Sequence, residues 1–175
     1  MTFREAEQIF TDSLNPVYDR REAASLAWLS ISHIFKIERA EYLNLKDTEI
    51  PADKYESLLN ILGELETGKP LQYVIGETEF YGLTFKVNPS VLIPRPETEE
   101  LVDWRISDIR NSKIPIKGLK IIDIGTGSGC IPISLKKNLA ENQLFALDVS
   151  HEALDVSKQN AVLNQTEVNF IQGDI

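Results

Sequence analysis

From Leu119 onward, short apolar segments alternate with segments in which apolar residues recur at helical spacing. The apolar segments read LKIIDI at 119–124, LFALDV at 144–149 and VNFI at 168–171. Strands that are joined through helices pair in parallel, because each helix carries the chain back to the starting end of the sheet. The sequence therefore predicts an α/β fold with a parallel, doubly wound sheet.

A glycine-rich turn follows the first of these strands and leads directly into a helix. It consists of Gly125, Thr126, Gly127, Ser128 and Gly129. Because glycine has no Cβ atom, the backbone of such a turn can approach a ligand closely, and the unpaired N–H groups of the helix start point at it. Asp148, at the end of the next strand, can accept hydrogen bonds from both hydroxyls of a ribose. We therefore predict a nucleoside-containing ligand at this turn.

The glycine spacing and a nearby carboxylate distinguish two classes of cofactor. Dinucleotide-binding turns have the spacing G-x-G-x-x-G, whereas here Pro132 stands in place of the last glycine. Asp123, just before the turn, would repel a pyrophosphate but attract the ammonium and sulfonium groups of S-adenosylmethionine. We predict S-adenosylmethionine. The alternatives are a nicotinamide or flavin dinucleotide, and a turn that only packs a helix on the sheet.

Charge and cysteine content exclude several other classes of function. The chain has 18 basic and 27 acidic side chains without a basic stripe, so no direct binding to nucleic acid is expected. Cys130 is the single cysteine, and His33 and His151 lack zinc-ligand spacing, so we predict neither a disulfide nor a metal site. The first residues do not resemble a signal peptide, and no apolar run reaches the roughly 20 residues of a membrane span. A cytoplasmic protein without membrane contact is predicted.

The pattern divides the chain into three regions. Residues 1–70 have helical spacing, with candidate capping boxes at Thr2 and Asp19, and predict a helical bundle. Residues 71–93 are rich in β-branched and aromatic residues and predict a β-hairpin linker that turns near Gly82. Residues 94–175 contain the alternating strands and helices. The segment NSKIPIKG at 111–118 is interpreted as a linker within this last region.

Two groups of polar residues are further site candidates. Arg95, Thr98 and Glu99 lie in the segment PRPETE, where a plain linker needs no particular side chain. The alternative is that the prolines stiffen a connector, excluding regular helix, while Thr98 and Glu99 cap the helix that follows. Asp174 follows the third strand, where its carboxylate can reach the amine of an adenine. The alternative is that it is a loop carboxylate that binds no ligand.

These segments together resemble the release-factor glutamine methyltransferases, the HemK family. The matching residues read GKPLQYVIGETEFYGLTFKV, LIPRPETEELV, IIDIGTGSGCIPISL, ALDVSHEALDVSKQNA and FIQGDI. The resemblance implies an N-terminal helical bundle that recognises the substrate, a β-hairpin link and the first half of a class I, Rossmann-like methyltransferase domain. It also maps the family's cofactor residues onto Gly125–Gly129 and Asp148, with the position of Ile175 beside the adenine in relatives.

The resemblance implies methylation of the side-chain amide nitrogen of the glutamine in a release factor's Gly-Gly-Gln loop. An amide nitrogen is a poor nucleophile, so hydrogen-bond acceptors must orient it in line with the methyl group. The family uses an Asn-Pro-Pro-Tyr segment for this purpose, and these 175 residues do not contain it. The nearest string, NPSV at 88–91, is interpreted as a turn. No catalytic residue is therefore assigned in this chain.

Three of the seven strands of such a domain are predicted, so we expect the N-terminal part of a longer enzyme that is inactive in methyl transfer by itself. The residues after the segment PR favour the release-factor branch. The alternatives are a glutamine methyltransferase of a ribosomal protein, a methyltransferase of a small molecule, and a non-catalytic fragment that binds S-adenosylmethionine.

Overall fold

The computed structural model describes residues 1–112 and 118–174. The chain forms two compact units, Met1–Ile75 and Gly76–Ile175. The described part of the first unit is helical, and that of the second combines a hairpin, a parallel sheet and helices. Most of the predicted linker at 111–118 lies outside the described residues.

The first unit is built from five helices, of which the first two begin at side-chain caps. They are α1 (Phe3–Leu14), α2 (Arg20–Phe35), α3 (Arg39–Leu45), α4 (Ala52–Glu66) and α5 (Leu71–Ile75). Thr2 and Glu5 form the predicted capping box, in which each backbone N–H donates to the other's side chain, at 2.7 and 3.3 Å. Asp19 caps α2 by accepting from the N–H groups of Arg21 and Glu22 at 2.8 and 3.0 Å. The predicted helical region is confirmed.

The apolar faces of these helices share one core. Its largest fully buried side chains include Phe10, Leu14, Ile31, Tyr42 and Leu58. Burial of a large apolar side chain contributes roughly 1.5 to 3 kcal/mol, which exceeds any difference in helix propensity. Packing, and not intrinsic preference, therefore stabilises the shorter helices of this unit.

The last helix of the first unit corrects the sequence analysis. Residues 71–75 were expected to have strand-like structure, but they form α5, in which the N–H groups of Tyr73 and Val74 donate to the Pro70 carbonyl at 3.0 and 3.2 Å. Leu71 is buried in the core of the bundle, and Val74 and Ile75 pack against it. Packing against the bundle outweighs the β propensity of these residues, which is a weak and context-dependent preference.

A hairpin opens the second unit. Strands β1 (Glu77–Phe80) and β2 (Leu83–Lys86) pair antiparallel, with Phe80 opposite Leu83. The two turn residues, Tyr81 and Gly82, have φ values of 53° and 68°. Positive φ at both positions is typical of a type I′ turn, whose twist matches that of the paired strands. The predicted hairpin turn near Gly82 is confirmed.

Helix α6 (Pro96–Asn111) follows the hairpin and begins earlier than expected. Pro94 and Pro96 were expected to exclude regular helix, with a start at Glu97 or Thr98. In the structure Arg95 is the N-cap residue and Pro96 is the first helical residue. Proline fits this position because its missing N–H has no partner there and its fixed φ is helical. The expectation was therefore wrong for Pro96.

The three predicted parallel strands are present. Strands β3 (Lys120–Ile124), β4 (Gln143–Asp148) and β5 (Asn169–Gln172) pair in the order β3-β4-β5. Helix α7 (Cys130–Asn138) joins the first two strands, and α8 (His151–Leu163) joins the last two. Ser150 caps α8 by accepting from the N–H of Ala153 at 3.0 Å. This topology places the glycine turn and Asp148 at the carboxyl end of the sheet.

The core of the second unit joins the hairpin to the sheet. It includes Phe80, Phe85, Val102, Ile106, Ile133 and Leu144. The rings of Phe80 and Phe85 meet edge to face with centroids 6.0 Å apart. Strand β2 packs against α8, and α6 packs against α7, the helix that starts at the glycine turn. Within residues 1–112 and 118–174, no helix has the length and apolar character needed to cross a bilayer.

Candidate functional site

The glycine turn is tied to the end of β4 by backbone hydrogen bonds. The N–H groups of Gly125 and Thr126 both donate to the Leu147 carbonyl, at 2.8 and 3.0 Å. Gly125, Gly127 and Gly129 have φ values of 74°, 53° and 78°, in the left-handed region that other residues adopt only with strain. All three glycines are therefore required by backbone conformation.

The space around the glycines differs from one to the next. A Cβ atom on Gly129 would lie 2.2 Å from Ser157 Oγ and 3.1 Å from Ile133 Cδ1, so this glycine allows α7 to approach α8. A Cβ atom on Gly125 or Gly127 would meet nothing within 4 Å. The backbone at these two positions borders open space, which a ligand can occupy.

Asp148 holds the turn from the side of β4. Its Oδ2 atom accepts from the N–H of Gly127 at 2.8 Å, and its Oδ1 atom accepts from the N–H of Ser150 at 3.0 Å. The residue is 9% exposed. Each carboxylate oxygen has a second lone pair, so Asp148 can still accept hydrogen bonds from a ligand.

Asp123 provides a second, less satisfied carboxylate beside the turn. Its Oδ2 atom and the Thr126 Oγ1 atom are buried, and neither makes a hydrogen bond in the described part of the chain. Burial raises the pKa of Asp123, the negative charge of Asp148 raises it further, and the adjacent Thr126 hydroxyl partly offsets both. A cationic ligand group placed here would stabilise the charged carboxylate.

A cavity of about 160 Å³ adjoins the turn. Gly125, Thr126, Gly127 and Ser128 form one side, and Leu92, Ile93, Pro94, Arg95 and Thr98 belong to the segment on the other side. The structure thus brings Arg95 and Thr98 together with the predicted cofactor turn. Asp123 instead lines a neighbouring cavity of about 170 Å³, together with Leu101 and Arg105.

Glu99 has a different position from its two neighbours. Its Oε1 atom accepts from the N–H of Tyr81 at 2.7 Å, so it holds the hairpin turn, and it does not line the cavity beside the glycines. Since α6 begins at Pro96 and its N-cap Arg95 makes no side-chain cap, the expectation that Thr98 and Glu99 cap this helix was wrong.

Asp174 lies two residues after the end of β5. The N–H of Gly173 donates to the Asp148 carbonyl at 3.1 Å, which places the exposed Asp174 one residue beyond a direct contact with β4. Ile175 lies outside the described residues. The string at 88–91 is a turn, as interpreted, in which the N–H of Ser90 donates to Asn88 Oδ1 at 2.9 Å.

Sequence analysis missed Asn160, which lies on α8 and contacts the glycine turn. Its Nδ2 atom donates to the Ser128 carbonyl at 2.9 Å, and the residue is fully buried. The signal was available, because Ser157, Asn160 and Asn164 are polar residues on a helix face whose other buried members are apolar. Asparagine is unfavourable in helix interiors, so a buried one indicates a specific partner.

The site fits a nucleoside that carries positive charge. It offers open backbone at Gly125 and Gly127, a carboxylate with spare acceptor capacity at Asp148, and an unpaired carboxylate oxygen at Asp123. Cys130 is buried, and burial raises the pKa of its thiol to about 11, so it is not a thiolate at neutral pH. Among the residues that the structure describes, no group of three or more His, Cys, Asp or Glu side chains is placed to hold a metal ion.

Comparison with known proteins gives two family matches that together span most of the chain. Residues 5–76 match the PrmC N-terminal domain, and residues 107–175 match the methyltransferase small domain. A solved structure of a tRNA (uracil-54, C5)-methyltransferase from Pyrococcus abyssi is 18% identical and covers 56% of this chain and 23% of its own, with a TM-score of 0.45.

Curated relatives match across both units. A release factor glutamine methyltransferase of Flavobacterium psychrophilum is 43% identical over 95% of this chain and 58% of its own length. One of Bacteroides thetaiotaomicron is 37% identical over 93% of this chain and 56% of its own. One of Lactococcus lactis is 40% identical over 82% of this chain and 51% of its own. The chain spans about half the length of these relatives, and it belongs to the release factor glutamine methyltransferase family.

Proposed function

We propose that this chain binds S-adenosylmethionine at the glycine turn and takes part in methylating a glutamine side chain of a peptide chain release factor. In this proposal each region has the role expected from the sequence. Residues 1–70 recognise the protein substrate, residues 71–93 connect the two domains, and residues 94–175 hold the cofactor. It also includes a cytoplasmic location, where release factors act, with no direct nucleic acid or membrane partner.

The observation that carries the proposal is the environment of Gly125 and Gly127. Their backbone borders open space, and Asp148 accepts a hydrogen bond from the N–H of Gly127. A second carboxylate, Asp123, precedes the turn in sequence and lines the neighbouring cavity. A pyrophosphate placed here would meet negative charge, whereas a sulfonium nucleoside with an ammonium group would meet charge of the opposite sign. Nicotinamide and flavin dinucleotides are disfavoured at this site because each carries a pyrophosphate.

Each residue of the site has a defined task in this proposal. Asp148 accepts hydrogen bonds from the ribose hydroxyls while its two backbone contacts fix its orientation. Gly125 and Gly127 let the backbone approach the cofactor. Asp123 attracts its positive groups, and Asp174 accepts from the adenine amine. When bound, the cofactor supplies an electrophilic methyl group on sulfur.

Arg95 and Thr98 are proposed to contact the cofactor or the substrate from the opposite wall of the cavity. Both line it together with the turn, and Arg95, although it is the N-cap residue of α6, makes no side-chain capping hydrogen bond. Replacing Arg95 with alanine in the intact gene product tests this role. Reduced kcat/KM with unchanged thermal stability is expected, and unchanged kinetics would argue for a connector.

Cofactor identity is tested by isothermal titration calorimetry on this chain with S-adenosylmethionine, S-adenosylhomocysteine and NADH. We expect binding of the first two and none of the third. The Asp148→Ala variant is expected to lose binding, while Glu100→Ala, an exposed carboxylate on α6, leaves it unchanged. Uptake of NADH alone would refute the proposal.

Substrate identity is tested with radiolabelled S-adenosylmethionine and the intact gene product. A release factor and a ribosomal protein are supplied separately and then in competition. Label in the release factor that disappears when the glutamine of its Gly-Gly-Gln loop is replaced supports the proposal. Label in the ribosomal protein alone, or in neither protein, would assign a different substrate or a non-catalytic role. Deleting residues 1–70 is expected to weaken release-factor affinity and to leave the affinity for S-adenosylhomocysteine unchanged.

A further inference from the structure

Asn160 is the one residue of α8 whose described contacts reach both the hairpin and the glycine turn. Its Oδ1 atom accepts from the N–H of Lys86 at 2.6 Å. Its Nδ2 atom donates to the carbonyls of Lys86 and Ser128, each at 2.9 Å. The side chain is fully buried, so no water competes for these bonds.

The chemistry of the partners fixes the orientation of this amide. Lys86 N–H is a donor and must face the amide oxygen, while the carbonyls of Lys86 and Ser128 are acceptors and must face the amide nitrogen. Asn160 therefore pairs with Lys86 as a neighbouring strand would, using one donor and one acceptor. The second hydrogen of the amide is left for the glycine turn.

The glycine turn is thus held from two directions. Asp148 accepts from the N–H of Gly127, and Asn160 donates to the carbonyl of Ser128, the next residue. These bonds fix the Thr126–Gly127 and Ser128–Gly129 peptide groups, and Ser128 itself is 2% exposed. Because Gly127 has no Cβ atom to restrict it, the turn needs such external contacts to keep a single conformation.

We propose that Asn160 is a positioning residue that holds the glycine turn in the conformation that accepts the cofactor and couples it to strand β2. The inference rests on the proposed function for the identity of the cofactor, but not for the coupling itself. Loss of the Ser128 bond frees the turn, and the free protein then samples conformations that do not bind.

Asn164, the C-cap residue of α8, provides a matched control four residues after Asn160. Its Nδ2 atom donates to the Thr84 carbonyl of the same strand β2 at 2.9 Å, and to the Asn160 carbonyl at 3.0 Å. It is 8% exposed. Asn160 and Asn164 therefore both hold the hairpin, and the contact with Ser128 distinguishes them.

The test compares Asn160→Asp with Asn164→Asp by amide hydrogen exchange and by affinity for S-adenosylhomocysteine. Each change removes the amide donors and places a carboxylate against backbone carbonyls. For Asn160→Asp we expect exchange of the Gly125–Cys130 amides to accelerate and affinity to fall roughly 10-fold, the effect of losing one buried hydrogen bond. Asn164→Asp is expected to accelerate exchange in β2 without changing the turn or the affinity.

Equal effects of the two variants on the turn, or an unchanged turn in Asn160→Asp, would overturn the inference. If Asn160→Asp does not fold, Asn160→Ser, which adds no charge, takes its place in the same comparison. If the unchanged protein does not bind S-adenosylhomocysteine, the proposed function fails. Hydrogen exchange in the free protein then still decides whether Asn160 positions the turn.

Discussion

The carboxylate of Asp148 accepts a hydrogen bond from the backbone N–H of Gly127 at 2.8 Å, across 21 residues of sequence. The end of β4 is thereby joined to the glycine turn, which follows the neighbouring strand β3. A residue interpreted from the sequence as a ligand contact is also a structural support of the turn. Substitutions at Asp148 should therefore change stability as well as binding.

Replacing Asp148 with asparagine is expected to destabilise the protein by about 1 to 3 kcal/mol, because an amide has only one acceptor oxygen for two N–H donors. Its NH₂ group must then face the N–H of either Gly127 or Ser150. Urea denaturation measures the loss. Asp155→Asn on the exposed side of α8 serves as the control and should change stability by less than about 1 kcal/mol. Full stability of Asp148→Asn would contradict the support role.

The two glycines at the centre and end of the turn should differ in their tolerance of alanine. Gly129→Ala combines left-handed strain with overlap against Ser157 and Ile133, and should cost about 2 to 4 kcal/mol. Gly127→Ala has open space and should cost only about 1 to 2 kcal/mol from strain. Denaturation curves of both variants check the difference, and equal costs would mean that α7 and α8 do not pack as described.

Asp123 should make the protein less stable as pH rises. Its pKa is raised in the folded state, mainly by burial, so the folded protein holds the proton more tightly than the unfolded chain. Stability is then greatest below the ordinary pKa of 3.8 and falls as pH rises through the folded value. Asp123→Asn should accordingly raise Tm at neutral pH, with a gain that disappears in acid. A Tm gain that does not depend on pH would exclude this cause.

The same variant should have the opposite effect on the cofactor. If Asp123 attracts the sulfonium, then Asp123→Asn weakens the binding of S-adenosylmethionine more than the binding of S-adenosylhomocysteine, which has no charge on sulfur. Calorimetry with both ligands gives the ratio of affinities. An equal loss of affinity for both ligands would place the sulfonium away from Asp123. If the variant is stable but binds more weakly, the loss of affinity is not caused by unfolding.

Glu99 is expected to act on the hairpin and not on the cofactor. Glu99→Ala removes the acceptor for the Tyr81 N–H and should cost about 1.5 to 3 kcal/mol, while Glu99→Gln keeps an acceptor oxygen and should cost less. Thermal unfolding and hydrogen exchange at Tyr81 measure the effect, with Glu100→Ala as the control. A large change in S-adenosylhomocysteine affinity without a change in stability would instead assign Glu99 to the site.

Several elements of the fold were predictable because their signals are local. The capping box at Thr2, the cap at Ser150 and the hairpin turn at Gly82 each depend on residues within a few positions of one another. The parallel strands followed from alternating apolar segments. Two predictions were wrong. Residues 71–75 form a helix because they are buried against the bundle, and Pro96 is helical because it occupies the first position of α6, where proline is tolerated.

Neighbouring residues set strand pattern, turn chemistry and chain direction, so a parallel sheet with a glycine turn followed by a carboxylate could be read from the amino-acid order. Packing between distant segments established which glycine meets open space and which meets Ser157, and that Glu99 accepts from the N–H of Tyr81. It also decided that Asn160 joins Lys86 to Ser128, across 74 and 32 residues. Such bonds form between groups that only the folded chain brings together, so the pattern of α8 can mark Asn160 as unusual but cannot identify its partners.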